Sequence, residues 1–145
     1  MASAGPYAAC FLASESSQST EELLSIEGLS FTLEPNTRYK FKYLIYFEAK
    51  HGIVFGMKGP LRPTFSGYKI ETPLLSEASA LRFVQNYNEV STLVVDGTEG
   101  LVEISGVFRT GTAGGTLMPQ YASAIEGEVV TIKASSKGTL HDQGS

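Results

Sequence analysis

One cysteine, two histidines and no tryptophan stand in a chain of 145 residues, and these shortages exclude most reaction chemistries at the outset. Cys10 alone cannot build an internal disulfide framework, and a lone thiol suits assembly in a reducing cytoplasm. Its plainest role is that of a small buried hydrophobe. His51 and His141 are too few to complete a zinc ligand set with it. No motif supports a Cys10–His51 nucleophilic pair, and no serine sits in a nucleophile elbow. No apolar run approaches the roughly 18 to 20 residues that span a bilayer. No base precedes the apolar patch from Tyr7 to Ala13, so the sequence predicts no secretory signal. The glycines from Gly111 to Gly115 lack the Lys-Ser/Thr and following helix of a phosphate-binding loop, and read as a turn. The missing tryptophan tilts away from a sugar-binding platform. What remains favours binding and architecture over catalysis, and the expectation is a protein that is not an enzyme and holds no metal or cofactor.

Charge is sparse and unevenly placed. Charged residues make up 18% of the chain, hydrophobic residues 42%, and the net charge is −4. That balance is ordinary for a globular protein and argues against a nucleic-acid partner, which usually demands a basic surface. Residues 1–37 carry five acids and no base; residues 38–82 carry eight bases and three acids; residues 83–145 carry three bases and seven acids. A basic middle between acidic ends suits chains that pack against one another or dock on a charged lattice. Charges that simply face each other within one fold, or stay solvated, explain it slightly better.

The clearest positive signal runs from Arg38 to Glu48. Tyr39, Phe41, Tyr43, Ile45 and Phe47 fall at every second position, with Arg38, Lys40, Lys42 and Glu48 on the opposite face, joined by Leu44 and Tyr46. Period-2 alternation rich in aromatic residues predicts a half-buried β-strand. Most of the chain reads the same way. Short strands are expected at Tyr7–Ala13, around Leu24–Leu33 with a break at Gly28, at Tyr68–Glu71, Leu81–Gln85, Ser91–Val95, Leu101–Thr110, Thr116–Ala122 and Glu128–Ala134. Glu34-Pro35-Asn36-Thr37 is a turn in which Asn36 tolerates left-handed geometry. Lys50-His51-Gly52 predicts a hairpin joining the aromatic strand to Ile53–Met57, and Asp96-Gly97 predicts another. Leu74 to Ala80 supports a single helical turn, and Asn86 to Glu89 a turn between strands.

The resulting expectation is an all-β, antiparallel sandwich, jelly-roll-like, with eight or nine short strands. Residues 1–20 form an N-terminal arm with a first strand, residues 21–134 a single β-sandwich domain, and residues 135–145 a flexible tail, because composition turns small and polar there. Glycosidases need only two carboxylates, which makes Glu99 with Glu103 and Glu126 with Glu128 candidate pairs; acids at strand ends explain both. Asp96 and Glu99 flank a glycine turn but match no EF-hand loop.

Three stretches carry a resemblance. Leu33-Glu34-Pro35-Asn36-Thr37-Arg38-Tyr39-Lys40-Phe41 resembles a motif of tailed-phage structural proteins, a Pro-Asn-Thr turn followed by a Tyr-x-Phe strand. Gly114 to Ala122, followed by Glu128 to Ser136, resembles the closing hairpin of the same modules, and Gly56-Met57-Lys58-Gly59-Pro60 resembles their Gly-Pro turn. Two positions depart from the pattern: Pro119 stands where a ladder residue is expected, which predicts an edge or a bulge, and Ser135 replaces a glycine before Ser136. The resemblance spans about residues 30–136 and implies a virion β-sandwich, in many such modules a homotrimer.

With no heptad or collagen-like stalk in the sequence, the resemblance implies a capsid decoration (cement) protein that binds the major capsid protein lattice. It would sit on the outer capsid surface and assemble in the host cytoplasm, without nucleic-acid or membrane partners. The alternative is a receptor-binding or structural module of a tail or head fibre, with Leu61 to Tyr68 as an exposed loop. Arg38, Lys40, Lys42 and Tyr46, on the outward face of the aromatic strand, are the expected assembly surface.

Overall fold

A computed structural model describes residues 7–50, 52–60, 62–71, 82–84, 93–95 and 99–144. The aromatic stretch is strand β5, Arg38–Ala49, reached through β1 (Tyr7–Phe11), β2 (Ser16–Gln18), β3 (Leu24–Ser25) and β4 (Phe31–Leu33). It is followed by β6 (Ile53–Lys58), β7 (Phe65–Glu71), β8 (Arg82–Val84), β9 (Leu93–Val95), β10 (Glu99–Arg109), β11 (Gly115–Ser123), β12 (Val130–Ile132) and β13 (Lys137–Gly144). A single 3-10 turn, Glu27–Leu29, interrupts β3 and β4 where Gly28 predicts a break. Every pairing among the described residues is antiparallel.

The strands fall into two sheets. The first runs β1-β13-β5-β10-β7-β8, with β12 continuing the line of β13 along β5 and β2 continuing the line of β1. The second runs β3-β11-β6-β9, with β4 continuing the line of β3 along β11. When the interrupted strands are merged, eight ranks remain, ordered 1-8-3-6 in one sheet and 2-7-4-5 in the other. These are the two interleaved Greek keys of a jelly roll. The pair β7–β8 is inserted between ranks four and five and widens the first sheet beyond β10. The all-β sandwich expected from the sequence is therefore the observed fold.

Alternation along β5 explains why it sits centrally. Tyr39, Phe41, Tyr43, Ile45, Phe47 and Ala49 are buried, while Arg38, Lys40, Lys42, Tyr46 and Glu48 are exposed. Burying each large apolar side chain contributes about 2 kcal/mol before its entropy cost. These rings meet the second sheet: Phe47 stands edge-on to Phe55 of β6 at 5.7 Å, and Phe31 of β4 lies 5.9 Å from Tyr43. Gly106 admits β7 to this core, since a Cβ there would lie 2.2 Å from the Gly67 carbonyl and 2.7 Å from Tyr68 Cβ. Tyr68 fills the space a side chain at 106 would claim.

Several expectations change. The tail predicted at 135–145 is strand β13, paired with β5 from Lys137–Leu44 to Gly144–Arg38, and its Leu140 is buried against Phe41. Small polar residues misled because β13 shows its side chains to solvent on one face and needs only Gly138 and Leu140 inside. The hairpins predicted at Lys50–Gly52 and Asp96-Gly97 join strands of different sheets, β5 to β6 and β9 to β10, so neither is a ladder. The closing hairpin implied by the resemblance behaves likewise, because β11 lies in the second sheet and β12 in the first. Pro119 is neither at an edge nor in a bulge: β11 has neighbours on both sides. Its carbonyl accepts Ile26 N at 2.9 Å, so its missing N–H points toward the break between β3 and β4, where no ladder bond is lost. The helical turn at 74–80, the turn at 86–89, residues 96–98 and His51 lie outside the described residues.

Candidate assembly surface

The outward face of β5 is extended on both sides by register. His141 of β13, Lys40 of β5, Val107 of β10 and Gly67 of β7 form one row across the sheet. Thr139, Lys42, Ser105 and Lys69 form the next, and Arg38, Arg109 and Phe65 stand at the end. The sequence expectation placed Arg38, Lys40, Lys42 and Tyr46 together on one outward face, and the structure does place them there. It adds Arg109, Lys69 and His141, brought alongside by strand pairings that no local pattern reveals.

Gly67 leaves a gap in its row, and a cavity of about 640 Å³ opens there, lined by Lys40, Lys42, Lys69, His141, Val107 and the exposed Phe65. Two of the lysines have acid partners: Lys42 Nζ is 3.4 Å from Glu103 Oε1 and Lys69 Nζ is 3.0 Å from Glu71 Oε1. Exposed pairs of this kind stabilise a fold by well under about 1 kcal/mol. Arg38, Lys40 and Arg109 have no ion-pair partner among the described residues.

Farther along the same face the character changes. Leu44, Tyr46 and Leu101 form an apolar waist, with the exposed Phe11 of β1 in line with Lys137 and Leu44. Beyond the waist, Glu48 lies opposite Glu99. Lys133 lies 3.5 Å from Glu48 and 3.6 Å from Glu15, and those carboxylates, Glu48 first, raise its pKa above the ordinary lysine value. Along β5 the outward order therefore runs basic, apolar, acidic, while across the sheet the Leu44 row also carries Lys137, Glu103 and Glu71.

Of the candidate carboxylates, Glu103 and Glu126 are engaged with other groups. Glu99 and Glu103 are four residues apart on one strand, about 13 Å by strand rise, and Glu103 is engaged by Lys42. Glu126 Oε2 accepts the backbone N–H of Glu21 at 2.8 Å. Among the described residues no group of three or more His, Cys, Asp or Glu is placed to hold a metal ion. Likewise no described helix is long and apolar enough to cross a membrane.

No family model matches the chain, and no curated protein matches it significantly. Among solved structures, the chain is similar to one of infectious bursal disease virus, Gt strain, at 13% identity and TM-score 0.27, covering 97% of this chain and 38% of that one. The VP2 subviral particle of the same virus matches at 8% identity and TM-score 0.26, over 95% of this chain and 36% of that one. The Gx strain matches at 10% and 0.23, over 97% and 41%. This chain spans less than half the length of those chains, and a likeness so loose carries no argument about what the protein does.

Proposed function

We propose that this protein is a virion structural component of a tailed phage, a decoration protein that binds the outside of the head and stabilises the shell. The observation that carries the reading is the outward face of β5, in which Arg38, Lys40, Lys42 and Tyr46 are fixed by the buried aromatics between them. Strand pairing on both sides fixes the backbone positions of these residues, so the order of charges along the face repeats in every copy. Rigid patterned faces suit lattice assembly, where many copies bury area together and stabilise the assembled state by mass action. The double Greek key and the phage-like motifs at Leu33–Phe41 and Gly114–Ser136 support the same reading.

Quantitative mass spectrometry of purified virions, scaled to the major capsid protein, tests it. Hundreds of copies per particle are expected, and absence from the particle overturns the proposal. A second reading, a receptor-binding fibre module, is favoured by one feature: Phe65 is 55% exposed beside the basic cavity. A handful of copies per virion, together with Phe65→Ser abolishing adsorption while heads stay intact, would select that reading.

A further inference from the structure

The order of charge on the outward sheet face has a geometric consequence. Along β5 the outward positions run Arg38, Lys40, Lys42, Leu44, Tyr46, Glu48; along β10, antiparallel to it, they run Arg109, Val107, Ser105, Glu103, Leu101, Glu99 in the same direction across the sheet. A two-fold axis lying in the face, perpendicular to the strands and midway between the Lys42 and Leu44 rows, reverses this order in a second copy. Arg38 then stands opposite Glu48 of the other copy, and Arg109 opposite Glu99. Lys40 stands over Tyr46, and Val107 over Leu101. Lys69, in the Lys42 row, stands opposite Glu71, in the Leu44 row. Arg38, Arg109 and Lys69 each meet an acid, Lys40 an aromatic face, and Val107 an apolar one, while Lys42, which keeps Glu103 of its own copy, falls opposite Leu44 and Lys137 opposite Thr139. Isologous two-fold contacts require this kind of self-complementarity.

We propose that the outward face of the first sheet is the contact between two copies of this chain, related by that two-fold axis. The inference rests on reading this face as the assembly surface and names the partner it takes. Arg38, Arg109 and Glu99 have no ion-pair partner within the described residues, and a second copy on this axis offers one to each. Asp142, at the basic end, is occupied with the Gly144 N–H at 2.7 Å, and Lys133 at the acidic end is shared between Glu15 and Glu48. The face is large enough. With twelve residues in β5, eleven in β10, eight in β13 and seven in β7, the face spans roughly 600 Å² per copy at about 3.3 Å per residue and 4.8 Å between strands, the scale of a small specific interface. Stacked sheets cross at about −30° because each is twisted, so contact is closest at the Lys42–Leu44 centre and the charged corners steer the approach.

The test uses the purified chain alone, without capsids, so it is scored separately from the virion reading. Two variants invert opposite ends of the face: Arg38→Glu with Arg109→Glu makes both ends acidic, and Glu48→Arg with Glu99→Arg makes both basic. Sedimentation equilibrium should show a wild-type dimer whose association weakens as salt rises, and each double variant should associate about tenfold or more weakly. Mixing the two variants one to one should restore a two-copy species, since each then supplies what the other lacks. Tyr46→Asp, which places a charge in the apolar waist, should weaken association if either double variant folds poorly by circular dichroism. A monomeric wild type, a three-fold species indifferent to both reversals, or a mixture that stays monomeric overturns the proposal. Reversals that spare self-association yet abolish capsid binding also overturn it, assigning the face to the shell while leaving the decoration reading intact.

Discussion

Tyr43 carries the only buried side-chain polar atom without a hydrogen-bond partner among the described residues. Its ring lies over Gly138, where a Cβ would come within 2.5 Å of Cε1, and burial drives its pKa far above the ordinary tyrosine value, with Cys10 adding to the shift. A stranded hydroxyl costs about 1 to 3 kcal/mol. Tyr43→Phe is therefore expected to leave stability unchanged or raise it by about 1 kcal/mol, read as a higher urea midpoint at constant slope. A lower midpoint would mean that the hydroxyl is satisfied. Ser135 offers a second handle. It adopts φ 78°, the left-handed region where the resemblance expects glycine. The turn thus keeps its geometry at a cost, and Ser135→Gly should gain roughly 0.5 to 1 kcal/mol in thermal unfolding. Its neighbour Ser136 explains why the turn persists: Ser136 Oγ accepts Tyr46 N at 2.9 Å and donates to Lys133 O at 2.9 Å, bridging the gap between β12 and β13.

Among elements, β13 is the one whose importance the sequence concealed. It borders β5 over most of its length and lies between β5 and β1, so its removal strips two ladders and exposes the central strand's edge. Deleting residues 137–145 should abolish cooperative thermal unfolding and drive aggregation through that edge. A dispensable tail would change the melting temperature hardly at all, so the two views separate in one calorimetric scan. The turns teach a related lesson. Pro35-Asn36 and the bonds of buried Thr110, whose Oγ1 accepts Thr37 N at 2.9 Å and donates to Glu34 O at 2.6 Å, fix a reversal at residues 34–37. Asn36 has φ 53°, as its turn chemistry predicts. Turn chemistry, however, states that the chain reverses and says nothing about whether it returns in the same sheet or crosses to the facing one.

At the scale of the molecule, Tyr39, Tyr43 and Tyr121 all have raised pKa values, burial being the first cause of each, and the Cys10 thiol is raised for the same reason. The sign follows from linkage. Around pH 9 to 10 the unfolded chain releases these protons while the fold retains them, so the unfolded form binds fewer protons and stability falls as pH rises. Urea midpoints should hold below about pH 8 and decline above about pH 9 to 10, less steeply in Tyr43→Phe. Equal slopes in both proteins would remove Tyr43 from that account. The same molecule is electrically polar along its strands, with Arg38, Lys40 and Arg109 toward one end of the outward face and Glu48 and Glu99 toward the other. In the proposed two-fold contact that polarity, rather than the net charge, sets how copies orient.

The sequence by itself determined the fold class and the inside-outside sense of β5, because period-2 alternation is local and a one-residue slip would bury three cations. It also placed Arg38, Lys40, Lys42 and Tyr46 on one surface. Only the tertiary structure decided which strands became neighbours. The pairing of β10 with β5 joins residues about 50 to 70 apart, and that register alone sets Arg109 beside Arg38 and Glu99 beside Glu48. Pairing over such separations depends on how both faces pack and on loop-closure entropy, which no short window contains. The charges were visible in the chain, but their order across the face exists only once the sheets have closed.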